Sequence, residues 1–193
     1  MKTLLALVAV LILSMPVMSH AGMKAPGVLD DEDVITSEGL AKYRVIGIKI
    51  FTTDNIEYNN VDDEEMTKMK RELRDYQDTL AKTLRNNLED SGFEAFIIKD
   101  DEGAGNADMV VEGEFTSINL GSAAARIIFG FGAGQVGIET KGQLVDAKTG
   151  DVLAKFKHET TSGLDGSLDK WQMINREAAD NADDITEFIE KLK

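Results

Sequence analysis

The 193-residue chain contains no cysteine, two prolines and two histidines. Without cysteine this sequence can form neither a disulfide nor a thiolate metal site. It also offers no thiol for lipid attachment. With so few histidines, the usual zinc sites are out of reach and no metal is expected. Basic residues are short as well: 21 Lys+Arg stand against 35 Asp+Glu, a net charge of −14. A duplex-binding face needs a positive footprint, so nucleic acid is excluded as a partner. Aromatic residues make up only 6% of the chain, yet 42% of it is hydrophobic and 29% charged. That balance excludes bulk disorder and collagen-like architecture, and the length suits one domain.

The first segment reads as an address. Lys2 precedes an unbroken apolar run over residues 4–13, which Met15 to Met18 extend. Ser19-His20-Ala21 then supplies small residues at the two positions a signal peptidase reads. A cleaved signal peptide over residues 1–21 is expected, cut after Ala21, with the periplasm as destination. The run is short for an uncleaved anchor, which needs about 20 spanning residues. Residues 22–42 carry Pro26, Gly27, Gly39 and the run Asp30-Asp31-Glu32-Asp33. Such a run is expected to be a flexible, solvated tether. Calcium ligands would alternate around a glycine turn, and these do not.

A single α+β domain is expected over residues 43–193. Ile46, Ile48 and Ile50 alternate over 43–53, the period of a strand. Met66, Met69, Leu73, Tyr76, Leu80, Leu84 and Leu88 recur at intervals of three and four, which predicts a helix over 62–91. Four acidic residues sit at its start, where the dipole favours them, and Gly92 follows its end. Residues 93–99 predict a second strand. A third begins at Met109, and its apolar phase switches from Phe115 to Ile118, which predicts a bulge near Ser117. Val136, Ile138, Thr140 and Leu144 mark a fourth strand. Val152, Ala154 and Phe156 mark a fifth, after a tight turn at 146–150. Trp171, Ile174, Ala178, Ile185, Phe188, Ile189 and Leu192 predict a closing helix from about residue 167. The resulting fold class is a twisted, mainly antiparallel five-strand sheet, with a long helix after the first strand and a C-terminal helix packed on it.

Few motifs carry chemistry. Gly132, Gly134 and Gly137 match G-x-G-x-x-G, but a strand is expected after them where a dinucleotide site needs a helix. No cofactor is expected. His158 falls on the inward face of the fifth strand by parity, where a hydrogen-bonded structural histidine is the plainer account than a general base. No serine stands in a nucleophile-elbow pattern, and no catalytic residue is assigned. Residues 121–134 form a Gly-rich stretch whose one charge is Arg126. It reads either as a close-packed crossing loop or as an interaction surface anchored by Arg126, Ile127, Ile128, Phe129 and Phe131. The partner would be an envelope protein or a membrane surface.

At Gly121-Ser122, Arg126, Gly130-Phe131-Gly132-Ala133-Gly134 and Asp146-Ala147-Lys148-Thr149-Gly150, the chain resembles the domain-of-unknown-function family 4410 of bacterial envelope proteins. The strand from Met109 to Gly113 is similar to the one that precedes this feature in the family. The resemblance spans roughly residues 43–162. It implies export, often as a lipoprotein, although this chain lacks the lipid-bearing cysteine. It implies no established activity, so no catalytic residues are carried over. The leading expectation is a non-catalytic binding or assembly module of the cell envelope. A periplasmic hydrolase using His158 or loop carboxylates is the alternative, and self-association into a homo-oligomer is a third reading.

Overall fold

A computed structural model describes residues 23–99, 101–122, 134–162 and 169–193. Among the described residues the elements run β1 (Asp31–Val34), β2 (Val45–Lys49), β3 (Glu57–Asn59), α1 (Asp63–Asp90), β4 (Glu94–Ile98), β5 (Met109–Asn119), β6 (Val136–Asp146), β7 (Val152–Ser162) and α2 (Lys170–Lys191). The class is α+β. The sheet order is β1-β7-β6-β5-β2-β4, with β3 also pairing β5.

The two helices among the described residues both begin on capping boxes. Asp62 accepts from the Glu65 amide at 2.8 Å, while Glu65 accepts from the Asp62 amide at 3.0 Å. Asp169 and Gln172 repeat the arrangement at the start of α2. Each box satisfies amides that the first helical turn leaves unpaired. Met69, Tyr76, Leu80, Leu84 and Leu88 of α1 are buried, as the spacing predicts. Ile174, Ala178, Ile185, Phe188 and Ile189 do the same on α2. The helices lie side by side, tied by Thr79 to Asn175 at 2.7 Å and Asn87 to Asp183 at 2.6 Å. Fully burying each large aliphatic side chain contributes about 1.5–3 kcal/mol.

The sheet corrects the expectation in three ways. Among the described residues it has seven strands rather than five, and it is mixed: β2 runs parallel to both β4 and β5, and β3 is parallel to β5. The antiparallel part is confined to β5–β6–β7–β1. The crossover through α1 is as expected, because β4 returns beside β2 in parallel. A 3-10 helix at Asp101–Asn106 lies between β4 and β5, and β5 pairs with the side of β2 away from β4. The first strand also stops at Lys49, earlier than its alternation suggests. Beyond it Phe51 is buried, and Thr52 makes an isolated bridge to Glu114.

The third correction concerns residues 22–42, expected as a solvated tether. Asp31–Val34 is β1, an edge strand antiparallel to β7, and Leu29, Val34 and Leu40 are buried. Glu32 accepts the amides of Gly27, Val28 and Leu29 at 2.6–2.7 Å. The Leu40 amide donates to Leu192 O at 2.6 Å, joining this segment to the end of α2. The run leaves solvent because β7 pairs its backbone, while the Glu32 carboxylate accepts the turn amides.

The bulge falls where the phase switch predicts it, between Phe115 and Ser117. The turn after β6 is organised by Asp146, which accepts from the Lys148 and Thr149 amides at 2.8 and 3.0 Å and from the Tyr43 hydroxyl at 2.8 Å.

Gly113 and Gly142 are cross-strand partners, and Gly142 also faces Phe156. The Phe51 and Phe156 rings fill the space their side chains would take, and Phe156 continues edge-to-face onto Phe188 of α2. A Cβ on Gly142 would lie 2.5 Å from the Phe156 ring and 2.7 Å from Glu112 O. Gly142→Ala is therefore expected to destabilise the fold by about 1–3 kcal/mol, read as a lower urea midpoint at unchanged slope.

Candidate functional site

Strand parity sends alternate side chains of β5, β6 and β7 to the helices and the rest to the open face of the sheet. Val111, Phe115, Ile138, Leu144, Ala154 and Phe156 are buried beneath the helices. The interleaved residues assemble into two charged rows across the strands. One row runs Asp31, Lys157, Lys141, Glu114; the other runs Asp33, Lys155, Gln143, Glu112. Lys49 of β2 extends the second row through an ion pair with Glu112 at 2.6 Å. Between the rows lies a groove of about 810 Å3 that reaches the backbone at Gly113 and Gly142.

Most of the charges in the groove are matched. Lys141 pairs with Glu114 at 2.6 Å, and Lys157 pairs with Glu139 at 2.7 Å. Burial works against ionisation of Glu112, but the hydrogen bonds from Lys49 and Gln143 outweigh it and hold the carboxyl below its ordinary range. Glu139 follows the same pattern, with burial opposed by Lys157 and Thr116. The hydrogen bond from Lys141 lowers Glu114, and that to Glu139 raises Lys157. Exposed pairs of this kind add about 0–1 kcal/mol each, so they orient side chains more than they stabilise the fold. Lys155, Asp31 and Asp33 are the exceptions: among the described residues none of them has an ion pair, although Lys155 faces Asp33 and Gln143 across the strands. The groove is thus acidic at its ends and carries an unmatched ammonium near its centre.

His158 lies on the inward face, as parity predicts, and is 8% exposed. Its Nδ1 faces Asp30 Oδ2 at 3.1 Å and its Nε2 faces Asp184 Oδ2 at 2.8 Å. Asp30 also accepts the Glu159 amide at 2.7 Å. Both ring nitrogens are engaged by carboxylates, which leaves neither free to take a proton from a substrate. The imidazole instead joins the segment before β1 to β7 and α2. Asp30 lies in the run expected to be a solvated tether, and no sequence signal marks Asp184, so sequence reasoning missed both partners.

A polar strip continues beneath β6 and β7. The Thr140 hydroxyl donates to Asn181 Oδ1 at 2.7 Å, and the Thr160 hydroxyl donates to Glu177 O at 2.9 Å. Glu177 is 1% exposed, and its Oε1 has no hydrogen bond among the described residues. Burial pushes its carboxyl above the ordinary value of 4.5. No sequence signal marked it, because a Glu within a helix reads as a solvated residue.

Arg126, Ile127, Ile128, Phe129 and Phe131, the expected interaction anchors, lie outside the described residues. The residues flanking them are close together. Gly121 and Gly134 have φ of 70° and 82°, and a Cβ on either would strike the other strand's backbone. Only glycine takes that conformation without strain at such a close approach. Gly134 leads through Gln135 directly into β6, so a strand and not a helix follows the G-x-G-x-x-G pattern.

The model of the family described as "Domain of unknown function (DUF4410)" matches residues 46–166. The chain belongs to this family. The match takes in both charged rows except Asp31 and Asp33, the glycine pair and the turn at Asp146. No curated protein matches the chain. Among solved structures, the DUF4410 chain is similar to the PelC dodecamer from Paraburkholderia phytofirmans, at 14% identity and a TM-score of 0.43, over 78% of this chain and 94% of that one. It is similar to protein XCC0632 from Xanthomonas campestris at 12% identity and a TM-score of 0.44, over 78% and 83%. It is also similar to lipoprotein GNA1162 from Neisseria meningitidis at 12% identity and a TM-score of 0.37, over 75% and 99%. Among the described residues no helix is long and apolar enough to cross a membrane.

Two outcomes test the buried polar groups. His158→Ala leaves Asp30 and Asp184 without their shared partner. It is expected to cost about 1–3 kcal/mol and to speed amide exchange in β1 more than in β5. Glu177 holds its proton more tightly in the folded state, so the native state is penalised as pH rises above 4.5. Glu177→Gln removes that penalty. Its melting temperature is expected to exceed that of the parent above neutrality, with the gap narrowing as pH falls towards about 4.5.

Proposed function

We propose that this DUF4410 protein is an exported, non-catalytic binding or assembly module of the cell envelope. Its open sheet face holds an extended segment of another envelope polypeptide. The observation that carries this reading is the groove between the charged rows, with four carboxylates, four ammonium groups and an unmatched Lys155. Alternating charge along a shallow groove suits a chain of mixed charge, and an acidic side chain would complete Lys155. Ion pairs already formed along both rows keep the lysines extended and reduce the entropy lost when a partner docks. The engagement of both His158 nitrogens supports a binding role over hydrolysis. The leader pattern of residues 1–21 supports export, with a cut after Ala21 and the periplasm as destination. The apolar anchors Phe129 and Phe131, with Arg126, Ile127 and Ile128, add a second contact to the same partner.

The test is a photo-crosslinking side chain at Lys155, activated in intact cells, with Lys148 on the β6–β7 turn as the control position. A discrete adduct is expected from position 155 and not from 148, and its yield is expected to fall in F129S/F131S. No adduct at 155, or the same adducts from both positions, would count against the groove.

A further inference from the structure

The sheet has two edges of opposite character. At one end β1 reads Asp-Glu-Asp-Val and, among the described residues, pairs with β7 alone. At the other end β4 reads Glu-Ala-Phe-Ile-Ile and pairs only with β2, so among the described residues its outer edge has no strand partner. An unpaired edge strand presents a row of amides and carbonyls that another strand can pair with. A groove of about 940 Å3 runs along this second edge. Arg74, Lys82 and Arg85 of α1 line it together with Lys49 and Lys99, against two carboxylates, Asp78 and Glu89. Those carboxylates are already held by α1 cations at 3.3–3.9 Å. The lining is therefore net positive on a chain whose net charge is −14.

We propose that the acidic β1 edge of one copy docks on the basic-flanked β4 edge of another, joining copies head to tail. Direction supports the pairing. β1 is antiparallel to β7, β7 to β6 and β6 to β5, whereas β2 and β4 run with β5. β1 therefore runs opposite to β4, and a second copy laid edge to edge continues the sheet as an antiparallel pair. The lengths agree, with four residues in β1 and five in β4. Asp31 and Asp33 bring negative charge to an edge ringed by cations, and Phe96 and Ile97 provide apolar area beside the seam. The two surfaces are different, so the contact is heterologous and repeats until it closes into a ring or runs on as a filament. A seam this short is small beside the roughly 1,200–2,000 Å2 of a stable interface, so assembly depends on concentration and weakens with salt.

Sedimentation velocity across a concentration series tests this with a charge swap. The parent chain is expected to assemble as concentration rises. D31K/D33K carries two positive edges and K82E/R85E two negative ones, so each alone is expected to stay monomeric. An equimolar mixture is expected to assemble again, because each reversed edge then meets its complement. A monomeric parent at every concentration, or assembly of either variant alone, overturns the proposal. So does a failure of the mixture to assemble when both variants keep the parent's circular dichroism. Should a variant misfold, the parent decides alone: assembly must fall between about 0.05 M and 0.5 M salt, and salt-independent assembly rejects the charge-matched seam. A parent that stays monomeric yet pellets with phosphatidylglycerol vesicles assigns the basic flank to a lipid surface and also overturns the proposal.

Discussion

The three eleven-residue strands β5, β6 and β7 are covered by helices on one side only. Every second side chain must then either join the core or face outward, and the rest of the molecule follows from that division. Inward, the alternation delivers Val111, Phe115, Ile138, Leu144, Ala154 and Phe156 to the apolar faces of α1 and α2. Outward, it lines up acids and lysines that are remote in sequence but adjacent across the ladder. One glycine pair lies between the charged rows. Gly113 and Gly142 leave room for the Phe51 and Phe156 rings in the core, while their outward-facing neighbours Glu112, Glu114, Lys141 and Gln143 form the charged rows.

Much of this was legible beforehand because it depends on local period. The stripe from Met66 to Leu88, the alternation at Val136–Leu144 and the slip after Phe115 each report one element's own geometry. What was not legible depends on register and on distant partners. β1 is hidden by its charges: Asp31 and Asp33 face outward, Glu32 serves as an acceptor for turn amides, and only Val34 advertises a core contact. β3 is three residues long, too short for any pattern, and pairs with the end of β5 beyond its bulge. Asp30 and Asp184 lie 128 and 26 residues from His158, so nothing local predicts that they meet on one ring. The charged rows pose the same problem, since parity gives the face of each residue but not its neighbours on the next strand.

The two edges and the open face divide the surface by charge in a way that net charge conceals. An average of −14 suggests a uniformly acidic body. Instead the acids gather at β1 and at the ends of the rows, while cations gather along the β4 edge and near the centre of the groove. Such separation favours oriented contacts over general repulsion, which fits a protein that works by association.

Lysine footprinting addresses the groove most directly. Purified protein and intact cells are treated with the same amine-acylating reagent, and modification is read by mass spectrometry at Lys49, Lys141, Lys155 and Lys157, with exposed Lys70 and Lys148 as references. Protection of Lys155 and its neighbours in cells, with the references equally labelled in both samples, is the expected result. Equal labelling of the groove lysines in cells and in the purified protein would contradict a partner on the open face.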